Sequence, residues 1–202
     1  MHQRPDRNGP LNLRLDRSWP HRRRAPHLRT GLLHGIWHLP LVFLATDGYE
    51  DSELTSPWEA VTAEGARAVL VSPKDGTITG KKGHEASVDE PVSASDPTAF
   101  DALVLPGGVV NADKIRMDED AVSFARHFFD AGKPVGVICH GAWILADADV
   151  LRGRTLTSYP SLRTDLKTAG ATWVDEEVHV DQGLVSSRTP DDLPAFNAKL
   201  VE

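Results

Sequence analysis

Short, unbroken apolar runs alternate with helix-patterned stretches along most of this chain, and that alternation narrows the fold more than any other feature. Leu41–Ala45, Ala68–Ser72, Ala102–Leu105 and Pro134–Ile138 are each strand-sized and apolar at successive positions, as expected of strands covered on both faces. Between them lie stretches with helical spacing. Residues 51–64 place Leu54, Trp58 and Val61 on one face and stop at Gly65; Pro57 inside that stretch predicts a kink or a broken first turn. Residues 118–130 align Val122, Ala125, Phe128 and Phe129 before Gly132. Further helices are predicted over 141–148, 161–169 and 190–201, and a short strand over Thr155–Thr157. Two hairpins are expected: one at a sheet edge, built from Thr77–Thr79 and Ser87-Val88, and one from Val178–Val180 and Leu184–Ser186 around Asp181-Gln182-Gly183. The pattern predicts an α/β fold with a mostly parallel sheet and helices on both faces. Sites in such sheets form beyond the carboxyl ends of the strands. That directs attention to the loops 46–51, 106–113 and 139–141.

The first 38 residues do not share the pattern. They hold eight Arg against two Asp, a net +6, which leaves −13 for the rest of a chain whose total is −7. Without periodicity they cannot bury enough surface to offset the entropy of ordering, so residues 1–38 are expected to be a basic, disordered extension and 39–202 the folded domain. The acidic body argues against a nucleic-acid groove. No apolar run reaches the roughly 18–20 residues that span a bilayer, so no membrane partner is expected. Cys139 is the only cysteine. A chain with one cysteine forms no internal disulfide, which suits a reducing, cytoplasmic setting.

Cys139-His140-Gly141 follows a buried strand and opens a helix, the arrangement of a nucleophile elbow. A helix N-terminus favours a thiolate and backbone N–H groups can hold an oxyanion, so a lowered thiol pKa is expected; a buried structural cysteine is the alternative. The GxSxG pattern is incomplete, since Val137 stands two residues before the cysteine. Pro106-Gly107-Gly108 could aim an N–H at a ligand oxygen or simply form a turn. In Asp47–Asp51 a carboxylate could reach the elbow, or Asp51 could cap the following helix with Glu50 solvated. His84 and His127 stand alone, so no metal is assigned. Lys81-Lys82 reads as a solvated turn, and Trp58, Trp143 and Trp173 read as packing residues. No Gly-rich phosphate loop is present, and no cofactor is expected.

Taken in order, Thr46–Leu54, Phe100–Gly108, Gly132–Val135 and Ile138–Gly141 resemble the ThiJ/PfpI superfamily. Leu151–Arg154, Thr157–Pro160, Gly170–Asp175 and Val185–Arg188 extend the likeness toward its PfpI branch, the intracellular-protease-like proteins, over residues 41–202. The resemblance implies a flavodoxin-like three-layer sandwich related to class I glutamine amidotransferase domains. It implies Cys139 as nucleophile, Glu50 as the acid against its sulfur, and His140 as the histidine after the nucleophile. Gly108 and the His140 amide match the oxyanion-hole donors, and Gly107 and Tyr159 lie at the substrate site. In PfpI-like oligomers an acid from a neighbouring subunit orients the histidine. Asp113 matches it here, in a loop one residue longer than in the archaeal members and with Asp in place of Glu. No late His-x-Glu pair exists to complete an amidotransferase triad; His179 is the only late histidine.

The function expected from the resemblance is cofactor-free cysteine chemistry on reactive carbonyls, of glyoxalase III or deglycase type. Its substrates would be methylglyoxal, glyoxal or their adducts, and the protein would work as a homodimer or higher homo-oligomer. An intracellular cysteine peptidase and a redox-sensing stress chaperone are the alternatives.

Overall fold

A computed structural model describes residues 39–202; the reading of residues 1–38 as an extension lies outside them. The order is β1 (Pro40–Leu44), α1 (Asp51–Ala63), β2 (Arg67–Ser72), β3 (Thr77–Thr79), β4 (Glu85–Ser87), β5 (Glu90–Pro91), β6 (Ala102–Leu105), α2 (Val109–Ile115), α3 (Glu119–Asp130) and β7 (Val135–Ile138). It continues with α4 (Trp143–Asp147), β8 (Thr155–Leu156), α5 (Arg163–Thr168), β9 (Thr172–Trp173), β10 (Val178–Asp181), β11 (Leu184–Ser187) and α6 (Leu193–Leu200). Seven strands form one sheet in the order β10-β11-β7-β6-β1-β2-β5. Every neighbouring pair is parallel except β10 with β11.

The four apolar runs are the centre of this sheet, and their alternate residues face different layers. Val42, Leu44, Leu103, Leu105, Val135 and Val137 share a core with Phe124, Phe128, Leu145 and Leu166, from α3, α4 and α5. Leu41, Phe43, Leu70 and Val104 pack with Leu54 and Val61 of α1 on the opposite side. Both faces are covered, which is why the strands read as continuously apolar. Gly136 lies where α6 presses on β7: a Cβ there would meet Leu200 Cδ1 at 2.7 Å and Phe196 Cζ at 3.2 Å.

Several local expectations change. Helix α1 runs on through Pro57. It ends as predicted at Gly65, where φ is +88° and Ala66 N–H donates to Val61 O at 3.0 Å. The 77–87 hairpin pairs Thr77 with Ser87, leaves Val88 outside, and forms its own two-stranded sheet; β5 is the edge strand of the main sheet. Residues 109–115, read as loop, are helical. Exposed Val109 and Val110 hide the amphipathic pattern of so short a helix. The predicted start of α3 holds, with the Asp118 carboxylate accepting from Ala121 N at 2.8 Å.

Gly136→Val should lower stability by about 1–3 kcal/mol, the usual cost of overpacking a filled core. Urea unfolding measures it, and a wild-type midpoint would show that α6 yields freely.

Candidate active site

Strands β1, β6 and β7 end side by side, and their three following loops converge. The β7 end carries Cys139, which has φ +61° although it is not glycine. A side chain with Cβ disfavours that region, so the turn is strained and held by its surroundings. Gly141 makes the turn possible: a Cβ there would stand 2.4 Å from Leu105 O and 2.8 Å from Pro106 O. The tightness expected at Gly141 is therefore present, and Val137 two residues before the cysteine lies within the strand instead of the turn.

Cys139 is 7% exposed. The backbone amides of His140 and Gly108 face its sulfur, which lies 3.2 Å from His140 Nδ1. The β6 end supplies Gly107 and Gly108. Gly108 has φ +91°, and a Cβ on it would stand 2.4 Å from Gly48 O. At Gly107 the crowding comes from Glu53 Oε2 and Cys139 Cβ, at 2.5 and 2.7 Å from a notional Cβ. Two glycines are needed because the acid, the nucleophile and the first loop all meet there.

The acid against the sulfur is Glu53, not Glu50. Glu53 is fully buried in the first turn of α1, and its carboxyl meets Cys139 across Gly107, where a notional Cβ would stand 2.5 Å from Glu53 Oε2 and 2.7 Å from Cys139 Cβ. Its Oε2 accepts from Gly107 N–H at 2.9 Å, while Oε1 is buried with no hydrogen-bond partner. Burial pushes the Glu53 carboxyl up to about 7. Glu50, three residues earlier, points to the other side of the loop, where Lys81 pairs with it and Lys82 Nζ lies 2.8 Å from Oε1. Burial works to raise the Glu50 carboxyl, but the two lysines outweigh it and hold it below the usual carboxylate range. The helix boundary separates the two roles: Glu50 stands at the N-cap with extended backbone, outside the helical phase that turns Glu53 inward.

The expected lowered thiol pKa is also corrected. Burial pushes the Cys139 thiol up and the Glu53 carboxylate beside it adds to the rise, against the two amides. The helix that was expected to favour a thiolate is one 3-10 turn followed by the five residues of α4, with correspondingly little dipole.

His140 is buried, with Nε2 3.3 Å from Ser161 Oγ and its ring stacked on Tyr159 at 4.5 Å. Burial and then Lys81 lower its pKa. Tyr159 is thus brought to the site. Asp113 is exposed on α2, and the His140 nitrogens are occupied by Cys139 and Ser161. Asp51 does not cap α1: its carboxylate accepts from Lys82 N at 2.9 Å and His84 N at 2.8 Å. Lys81-Lys82, read as a solvated turn, is tied to Glu50. The packing roles of the tryptophans hold: Trp58 lies 5.0 Å from Phe43 and Trp173 packs on the larger core. Sequence reasoning missed Glu53 and Ser161. The i,i+3 spacing of Glu50 and Glu53 was the available signal for Glu53; nothing in the sequence pointed to Ser161. Among the described residues no cluster of three metal-ligating side chains occurs, and no helix is long and apolar enough to cross a membrane.

A mostly parallel sheet whose elbow cysteine lies between two amides and a buried carboxyl defines a class of cysteine-nucleophile α/β proteins. Residues 41–202 match the DJ-1/PfpI family, and the chain belongs to it. It is 46% identical to deglycase PH1704 of Pyrococcus horikoshii over 81% of this chain and 98% of that one. It is 48% identical to the Escherichia coli protein/nucleic acid deglycase 2 over 78% of this chain and 92% of that one. YraA of Bacillus subtilis, which bears a cysteine-protease name, is 44% identical over 78% of this chain and 93% of its own. A ThiJ/PfpI domain protein from Brachyspira murdochii superposes with a TM-score of 0.77 at 23% identity, over 82% of this chain and 95% of that one. The fold is the flavodoxin-like sandwich of these proteins.

Glu53 gives stability a pH signature. A carboxyl raised from 4.5 to about 7 by folding is cheapest to bury when protonated. Its contribution is fully present below pH 4.5 and is lost as pH rises through 7. At about 1.4 kcal/mol per pH unit, the loss across that window approaches about 3 kcal/mol. Glu53→Gln, uncharged throughout, should unfold in urea with a midpoint that falls less between pH 5 and 8 than the wild type. Equal falls would place the titrating group elsewhere.

Proposed function

We propose that this protein is a cofactor-free cysteine hydrolase of reactive carbonyls, a deglycase with glyoxalase III-like chemistry on methylglyoxal, glyoxal or their adducts. The observation that carries the reading is the single sulfur held between the Gly108 and His140 amides and the Glu53 carboxyl. The deglycase names of relatives at 46% and 48% identity support it. In the proposed mechanism Cys139 Sγ bonds to the aldehyde carbon and its proton passes to Glu53. The carbonyl oxygen, now an oxyanion, is held by the Gly108 and His140 amides and then takes that proton, giving a hemithioacetal. For a 1,2-dicarbonyl, a proton moves from C1 to C2 through an enediol. Glu53 or neutral His140 carries it, and a thioester results. Water then cleaves the C–S bond to release a 2-hydroxy acid and restore the thiol. Gly107 lets the Glu53 carboxyl reach Cys139, and Tyr159 fixes the His140 ring. Glu53, with a pKa near the working pH, suits both directions of proton transfer.

The setting proposed is the reducing cytoplasm, where a lone thiol stays reduced. Net charge alone does not decide the adduct carrier: one relative's name includes nucleic acid, and a nucleophile acting on a single adduct needs no basic groove. A peptidase is the second reading, favoured by the name of the Bacillus relative; it would use Cys139 with His140 as proton carrier.

Methylglyoxal consumption, adduct release and cleavage of a fluorogenic peptide should be assayed side by side. Carbonyl turnover should vanish in Cys139→Ala and fall about 10²–10⁴-fold in Glu53→Gln, the usual worth of general acid–base catalysis. Peptide cleavage without carbonyl turnover would establish the second reading. Holdase activity retained in Cys139→Ala, with no turnover of either substrate by wild type, would favour a chaperone.

The proposal includes a homo-oligomer in which Asp113 of a second copy orients His140. Its support is the exposed position of Asp113 on α2, beside exposed Val109 and Val110. Mixing Cys139→Ala with Asp113→Ala subunits should then restore part of the activity, because some pairs hold one intact site. Full activity of Asp113→Ala alone would leave Ser161 as the only partner of His140 Nε2.

A further inference from the structure

Two lysines are held against the loop that frames the site, and the reaction as written gives them no role. Lys81 and Lys82 lie in the turn between β3 and β4, a hairpin bound to the loop before α1 at several points. Lys81 N–H donates to Tyr49 O at 2.9 Å, Gly48 N–H donates to Thr79 O at 2.8 Å, and Tyr49 Oη donates to His84 O at 2.8 Å. Glu50 N–H in turn donates to Gly107 O at 3.2 Å, the residue beside the oxyanion amide of Gly108. The hairpin turn is therefore fixed against the same loop that frames the nucleophile.

Both ammonium groups converge on one carboxylate. Glu50 is buried, whereas the Lys81 and Lys82 side chains are 53% and 65% exposed. The other carboxylate at this turn, Asp51, is taken up by the backbone amides of Lys82 and His84, so the two ammonium groups share Glu50 alone. The field of Lys81 reaches Cys139, Glu53 and His140. The water-facing sides of both ammonium groups can meet an incoming anion.

We propose that Lys81 and Lys82, anchored on Glu50, form an oxyanion-recognition pair that favours substrates carrying a carboxylate or phosphate next to the carbon attacked by Cys139. The assignment of aldehyde adducts as substrates rests on the function proposed above, but the pair itself can be tested without it. Cys139 is the only thiol of the chain, so alkylation of the full-length protein reads this position alone. Iodoacetate and iodoacetamide have the same reactive carbon and differ by one negative charge. Their rate ratio should be divided by the ratio measured for N-acetylcysteine in the same buffer.

The corrected ratio for wild type should exceed that of the Lys81→Met, Lys82→Met double variant about 3–10-fold at low salt, and the difference should shrink at 0.5 M NaCl, where screening acts within a few ångströms. Lys81→Arg should keep most of the preference. A corrected ratio equal in wild type and double variant, or one insensitive to salt, would overturn the proposal. Hemithioacetals of methylglyoxal with N-acetylcysteine and with its uncharged amide extend the test to turnover, and inorganic phosphate added to the alkylation assay distinguishes phosphate from carboxylate. An iodoacetate preference without turnover of either adduct would uphold the pair and reject the carbonyl reading.

Discussion

One buried contact organises the site: the Glu53 carboxyl lying across Gly107 against the Cys139 sulfur. Everything nearby is arranged so that two ionisable groups can share a space that excludes water. Gly107 has no side chain because a Cβ would collide with both. Its amide binds one carboxyl oxygen, the other oxygen is left for a proton, and two more amides face the sulfur. Burial raises both groups above their ordinary values, so between them they release protons reluctantly, and the first to leave does so near neutrality. That is a costly arrangement for a folded protein and a suitable one for moving a proton at physiological pH.

A second tier of contacts holds the first loop to the β3–β4 hairpin. Asp47, Asp51 and Glu50 all direct carboxylates at the hairpin, accepting from Thr79 N–H, from Lys82 and His84 N–H, and from the two lysine side chains respectively. The acidic run after β1 is thus neither a capping sequence nor a catalytic cluster. It is a set of anchors, and the one acid that enters the site is the next one along, on the helix.

Much of this was legible in the sequence. Four continuous apolar runs predicted four central parallel strands because burial on both faces leaves no polar position to break the run. Cys139-His140-Gly141 was readable as an elbow because a tight strand-to-helix turn requires a glycine at the crowded position. Glu50 was chosen over Glu53 from the motif match, although the helix start predicted at residue 51 is the observed one: it leaves Glu50 at the N-cap, outside the helical phase that turns Glu53 inward. Helix α2 was hidden by two exposed valines. The thiol's raised pKa depends on burial and on a partner 86 positions away in the chain, neither of which local sequence contains.

The place of β7 in the sheet has a consequence for synthesis of the chain. Its neighbour on one side, β6, precedes it, but on the other side it pairs with β11, from Leu184↔Val135 to Ser187↔Ile138. The intervening segment, from Cys139 to Gly183, must leave the ribosome before β7 can be flanked. At roughly 5–20 residues per second that delay is about 2–9 s. Throughout it the strand that carries the nucleophile is an open edge, with unpaired backbone groups and a thiol not yet enclosed. The nascent chain is therefore most exposed to mispairing, and to oxidants, at the residue on which its chemistry is proposed to depend.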